Sequence, residues 1–331
     1  MRAIVDREDV VMLYRLMPAA IAAAALLGAP LQPAGAQDYP TRSITLIVPF
    51  PAGGGVDLIG RLVGQQLSTA LGQQIVVENR GGAGGMIGTR DIAHATPDGY
   101  TLGVVLTGMS LSPNADYDVN KDFTPIGLIA STPVFIVANP TFPAKSLADI
   151  IALAKQQPGK LAIGTPPSPT LNYFAVKLFN SLAGVDTTVV TYKGTAPLTT
   201  DLMGNHVPLG FDTIPAAISN VQSGQLRAIA VTAEKRSAAL PDVPTARESG
   251  LPEFEAVQYY GLIAPAGMPR PIVDRLNKDL RAMLTNEAFK KRLIEAGDDP
   301  TPSTPEEYGE NIKREEGKWA TLIKKLGLKL E

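Results

Sequence analysis

The apolar positions of this chain follow two alternating rhythms. A continuous apolar run, Ile44–Val48, reads as a buried strand, and the glycine-rich turn Pro51-Ala52-Gly53-Gly54-Gly55 follows it. Leu58, Ile59, Leu62, Val63, Leu67 and Leu71 then recur at helical spacing until Gly72 supplies a stop. Residues 75–77 form a second apolar run, succeeded by the loop Gly81-Gly82-Ala83-Gly84-Gly85 and a short helix. Pro97-Asp98-Gly99 then turns the chain into a third strand over 100–106. Strand, crossover helix and strand in this order predict a parallel sheet.

A second set begins after Asn139-Pro140. Ser146 with Asp149 predicts a capping box opening a helix to about residue 157. A strand over 161–163 leads into the loop Thr165-Pro166-Pro167-Ser168-Pro169-Thr170, and residues 171–182 read as a helix closed by Gly184. Further units are a strand over 187–191, a helix from Pro197, a strand around Phe211, a helix from Pro215 and a strand over 227–232. From Pro271 onward the pattern is helical only, with Thr304-Pro305-Glu306-Glu307 combining an N-cap, a first-turn proline and a capping glutamate. The fold class is therefore α/β, built from two such sets.

The first residues obey neither rhythm. Arg15 precedes an apolar stretch over 19–29, and Ala34-Gly35-Ala36 supplies small residues in a cleavage pattern, so residues 1–36 are expected to be a secretory signal peptide with the mature chain starting at Gln37. Asp6, Glu8 and Asp9 oppose the positive charge such a leader carries, and Met12 is the better start. A membrane span needs about 20 apolar residues; Pro30, Gln32 and Pro33 end this stretch too soon.

Composition removes several classes of function. The 30 basic and 32 acidic residues give a net charge of -2, with no basic run, which argues against nucleic acid as a partner. With no cysteine, the chain cannot form a disulfide, a thiolate zinc site, a cysteine nucleophile or a lipid-anchoring cysteine. His94 and His206 are its two histidines, far apart in sequence, and no G-x-S-x-G frames a serine, so neither a triad nor a metal site is expected. Leu58 and Ile87 stand where a dinucleotide fingerprint needs its last glycine, and no Walker lysine follows, so no cofactor is expected.

What remains is a glycine-lined turn running from a buried strand into a helix, where unhindered amides and the helix dipole suit an anion. The plain alternative is a tight turn without a ligand. Thr165, Ser168 and Thr170 place hydroxyls in a second strand-to-helix loop, with simple N-capping as their alternative. Two such loops in two α/β lobes would face each other across a cleft at the carboxyl ends of their strands. Neither loop holds a lysine or arginine; Arg80 and Lys193 are the nearest cations in motif terms.

The chain resembles the Bug family, the solute-binding receptors of tripartite tricarboxylate transporters. The resemblance runs over essentially all of residues 37–331. It is carried by Tyr39-Pro40, Val48-Pro49-Phe50-Pro51-Ala52-Gly53-Gly54-Gly55-Val56-Asp57, Glu78-Asn79-Arg80 and Gly82-Ala83-Gly84-Gly85. Pro97-Asp98-Gly99-Tyr100-Thr101-Leu102, Lys121-Asp122-Phe123-Thr124-Pro125-Ile126, Tyr192-Lys193-Gly194, Arg227-Ala228-Ile229-Ala230-Val231-Thr232 and Leu262-Ile263-Ala264-Pro265-Ala266-Gly267 follow in order.

The resemblance implies a type II periplasmic-binding-protein fold, two α/β lobes with a ligand cleft between them. Lobe one would be residues 40–138 plus 258–331 with the C-terminal helices, and lobe two residues 139–257, with crossings near Asn139 and Tyr259. It implies a monomeric periplasmic receptor, without catalysis, that captures a small dicarboxylate, tricarboxylate or aromatic carboxylate. The ligand would pass to the membrane permease subunits of a tripartite tricarboxylate transporter. An enzyme on the same scaffold and a ligand-presenting partner of a sensor are the competing functions.

Carried over by residue, the site implicates Phe50, Pro51, Ala52, Gly53, Gly54 and Asp57, the loop holding Thr107, Gly108 and Ser110, and Thr165, Ser168 and Thr170. Asp212 either faces the far end of the ligand or caps the helix that starts at Pro215. Two departures stand out: Asn172 stands about where relatives carry a histidine, and Tyr259-Tyr260 where an aromatic pair led by tryptophan is common. Trp319, the only tryptophan, lies in the C-terminal helices and is expected to report lobe closure poorly.

Overall fold

The computed structural model describes residues 39–106, 115–166 and 170–328. The expected signal peptide lies outside them. The first apolar rhythm becomes β1 (Ile44–Val48), β2 (Ile75–Asn79) and β3 (Thr101–Leu106), with β1 paired in parallel to both others. Leu46, Ile47 and Val48 are all buried, as a central strand covered on both faces requires. Between β1 and β2 runs α1 (Gly55–Leu71), which buries Ile59, Leu62, Val63, Leu67 and Leu71. It lies close to the sheet, since a Cβ at Gly60 would stand 2.6 Å from Val48 Cγ2. α2 (Met86–Ala93) leads toward β3.

The strand that organises the molecule is one the apolar pattern does not announce. β4 (Phe123–Ala138) is 16 residues long, about 50 Å at ordinary strand rise. Along residues 123–133 it pairs antiparallel with β9 (Val257–Pro265); from Val134 it pairs with β7 (Leu209–Thr213) and, from Phe135, with β8 (Arg227–Val231). β5 (Ala162–Thr165) lies parallel to both β7 and β6 (Thr188–Thr191). The resulting order is β2-β1-β3-β9-β4-β7-β5-β6, so one continuous sheet carries two parallel sets joined through β4 and β9.

The other helices are α3 (Leu147–Gln156), α4 (Leu171–Ala183), α5 (Thr195–Met203) and α6 (Ile214–Gln222), then α7 (Arg270–Thr285), α8 (Glu287–Glu295) and α9 (Pro305–Leu326). The capping boxes at Ser146 and Thr304 both form. The expectation of helices only after Pro271 needs correction: β10 (Asp299–Pro300) pairs with Ser131 and Ala130 of β4. Two residues in a bridge carry no periodic signal.

One apolar cluster gathers Ile136, Phe174, Phe179, Phe211 and Phe254, and another gathers Ile47, Val105, Leu128 and Ile263. α9 serves both. Its Tyr308 belongs to the second, whereas Trp319 and Leu322 belong to the first.

Candidate functional site

Helix α1 begins at the carboxyl end of β1, and the turn between them is open. Phe50 is half-buried, while Pro51, Ala52, Gly53 and Gly54 are exposed. Gly53 has φ +89°, a conformation that suits glycine. Gly54 caps α1 without any side-chain acceptor over the first helical turn. The amides of that turn therefore remain available at the positive end of the helix.

The turn is braced from behind. Asp57 is buried, and its Oδ2 accepts from the Gly53 amide (2.9 Å) and from Arg61 Nε (3.0 Å), while its Oδ1 accepts from Asn79 Nδ2 (2.9 Å). Asn79 Nδ2 also donates to the Phe50 carbonyl at 3.1 Å. Burial pushes the Asp57 carboxyl up, but the bonds from Arg61, Gly53 and Asn79 outweigh it and bring the pKa down to about 2. Asp57 is thus an ionised scaffold group whose oxygens are committed to the turn itself. The second glycine loop is a wall for the same turn: a Cβ at Gly85 would lie 3.0 Å from Phe50 Cζ, and one at Gly81 3.1 Å from Pro51.

Tyr260 joins this turn, a contribution that sequence reasoning missed. Its hydroxyl would lie 3.3 Å from a Cβ at Gly55, and it accepts from Gln258 Nε2 at 3.1 Å. Burial pushes its phenol well above the usual range. The cations singled out by motif play other parts. Arg80 is paired with Glu78 and Asp91, and Lys193 is exposed.

In the other parallel set, Thr165 ends β5 fully buried, and its Oγ1 has no hydrogen-bond partner. Thr170 caps α4 by accepting from the Tyr173 amide, so its hydroxyl takes the plain capping role. Asp212 sits near the end of β7. Its Oδ1 accepts from the Thr213 amide (2.8 Å) and from Asn172 Nδ2 (3.1 Å), whereas the buried Oδ2 has no partner. The N-cap of α6 is Thr213, not Asp212, and no side chain closes that turn. Burial raises the Asp212 pKa to about 7, against the smaller opposing pull of Thr213 and Asn172. Thr107, Gly108, Ser110 and Ser168 lie outside the described residues.

Thr199 Oγ1, Asn311 Oδ1 and Asp298 Oδ1 are likewise buried without a partner, and burial raises the Asp298 carboxyl, beside β10, also to about 7. Among the described residues no group of histidine, aspartate or glutamate is placed to hold a metal ion. The arrangement offers helix-terminal amides, hydroxyls and a buried acid. That chemistry suits the reversible binding of an anion. A groove of about 380 Å³ over Thr124, Met268, Arg270, Glu306 and Lys313 shares no residue with these loops. There Arg270 is already paired with Asp274 and Glu306.

Known proteins resemble this chain along most of its length. The family described as tripartite tricarboxylate transporter family receptor matches residues 59–328. The protein BugT of Bordetella pertussis is 35% identical over 305 residues, covering 90% of this chain and 94% of BugT. A solved structure of a Rhodopseudomonas palustris protein with adipate superposes with TM-score 0.76 at 34% identity, covering 88% of this chain and 99% of that one. MatC from the same organism, with bound malate, gives TM-score 0.72 at 33% identity, covering 86% and 100%. The fold is that of the periplasmic binding proteins of this type.

Proposed function

The chain belongs to the family of tripartite tricarboxylate transporter receptors, and from that membership we propose that it is a periplasmic receptor that captures a small dicarboxylate or related carboxylate in the cleft between two lobes. Residues 40–138 with 258–331 form one lobe and residues 139–257 the other, with α9 returning from the first to pack Trp319 and Leu322 into the core of the second. The observation that carries the reading is the exposed turn at Gly53 and Gly54, which opens α1 with uncapped amides. Asp57 stands behind it with its charge met by Arg61. A carboxylate oxygen placed there meets several N–H donors and no unmatched charge. Relatives of the same fold have been solved with malate and adipate, both dicarboxylates.

Residues 1–36 direct export and are removed, and the loaded receptor delivers its ligand to permease subunits in the membrane. It performs no chemistry on the ligand, which is recovered unchanged. A thermal-shift screen of succinate, malate, adipate, citrate and benzoate tests the reading directly. A ligand at about 100 times its Kd adds roughly 2.7 kcal/mol to stability. Gly54→Glu, which puts a side chain and a negative charge at the turn, is expected to remove that gain while circular dichroism shows the fold retained. Undiminished calorimetric binding by Gly54→Glu would refute the amide-cradle assignment.

A further inference from the structure

Asp212 is a carboxyl group buried at the meeting point of two helix N-termini with one oxygen left over. Asn172, in the first turn of α4, reaches across to it, and Thr213, the cap of α6, donates its amide to the same oxygen. Oδ1 therefore accepts twice while Oδ2 accepts from nothing, and the residue is 1% exposed. Thr165, which ends β5 beside β7, carries a second buried hydroxyl with no partner. Built sites satisfy their buried polar atoms, and the oxygens left open here lie at the carboxyl ends of parallel strands, where α/β folds take ligands.

The distribution of the bonds distinguishes the two oxygens. With Oδ1 taken up by two N–H donors, Oδ2 is the oxygen left to carry the proton when the acid is neutral. The surroundings supply no counter-charge to hold the group ionised. β4 offers Phe135, α4 offers Asn172, and α6 offers Thr213 and Pro215. The segment laid on Ile214 and Pro215 by Gly297 carries only Asp298 and Asp299 as titratable groups, both acidic. No lysine, arginine or histidine contributes to its titration.

Resting on the carboxylate-receptor reading above, we propose that Asp212 is a specificity group that binds as the neutral acid, donating its Oδ2 proton to an acceptor at the far end of the ligand. The receptor on this account takes diacids, whose second carboxylate accepts that proton in a hydrogen bond, and discriminates against ligands with an ammonium there. Two carboxylates at hydrogen-bond distance share one proton because both cannot stay ionised without a cation. The proton is taken from solvent whenever Asp212 is ionised before binding, and it is returned on release. The raised titration of Asp212 places that exchange near neutral pH.

The test uses the intact mature receptor with succinate and adipate as probes, matched to β-alanine and δ-aminovalerate, in which an ammonium replaces the far carboxylate. Calorimetry between about pH 6 and about pH 9, in two buffers of different ionisation enthalpy, reads both affinity and proton uptake. Diacid affinity is expected to fall toward tenfold per pH unit above the Asp212 midpoint, with net uptake of one proton there. Asp212→Asn keeps the shape and a donor in the Oδ2 position, so it is expected to bind the diacid with affinity almost independent of pH.

The proposal is overturned if wild-type diacid affinity is flat with pH and no proton is taken up. It is equally overturned if the amino acids bind more tightly than the diacids and Asp212→Asn loses them; in either case the carboxylate-receptor reading survives. If the folded receptor binds none of these four probes and none of the wider carboxylate panel, both readings fall.

Discussion

Asp57 shows how a single buried carboxylate braces the exposed turn that opens α1. It gathers the Gly53 amide, Arg61 and Asn79, so its ionised form is the one the fold prefers. A carboxyl whose folded pKa lies below its unfolded value stabilises the protein above the unfolded value, near pH 4, and loses that contribution as pH falls toward about 2. Asp57→Asn places an amide N–H against donors and should cost about 1–3 kcal/mol at neutral pH. Urea midpoints for both proteins should differ clearly at about pH 7 and converge near about pH 2, and a gap that is the same at both would show that ionisation plays no part. Much of this neighbourhood was legible in the sequence, because turn, helix start and Asp57 are adjacent along the chain. The Asn172–Asp212 bond joins residues 40 apart, and Tyr260 reaches Gly55 from far along the chain. No local pattern encodes such meetings, so the sequence could only hold capping and ligand contact as equal alternatives for Asp212.

Among the elements, β4 and α9 are the two that belong to neither parallel set alone. The sequence conceals β4 because Pro125, Gly127, Ser131, Thr132 and Pro133 interrupt its apolar run, and only pairing with β9 and then β7 makes it one strand. The βαβ strands were readable because burial on both faces writes a continuous apolar run. Helix α9 was readable from its cap, but its destination was not. Trp319 stacks on Phe174 with ring centroids 6.1 Å apart, and Phe174 lies in α4, whose N-cap Thr170 closes the second-lobe loop. The expectation that Trp319 reports closure poorly rested on its place in the C-terminal helices; its stacking on Phe174 motivates the opposite prediction. Ligand that engages the loop should alter Trp319 emission, and Phe174→Leu should mute the change at a stability cost of about 1–2 kcal/mol while calorimetric affinity persists. Constant emission at calorimetric saturation would show that the second-lobe loop and α4 are uncoupled.

At the scale of the whole molecule, the two parallel sets are joined by strands bonded to each other. β4 passes from one partner to the next between Pro133 and Val134, and Val257 of β9 pairs with Pro133 at the same level. The segment around β10 reinforces this place, since Thr132 Oγ1 donates to the Gly297 carbonyl and the Ala238 amide donates to Asp299 Oδ1. Bending is therefore expected where β4 is irregular, and its register shifts lie between Pro125 and Gly127, between Leu128 and Ala130, and between Ile136 and Val137. A ligand held as proposed, by the α1 turn on one wall and by Asp212 on the other, would gain both sets of bonds only when the walls approach. Closure would then be driven by its differential affinity for the closed form. Small-angle scattering of the mature chain should give a radius of gyration near the roughly 19 Å of a compact chain this size, smaller with the tightest-binding carboxylate than without it. A loaded profile that superposes on the empty one at saturation would mean that the cleft is preformed, with the ligand entering it through the loops rather than between moving lobes.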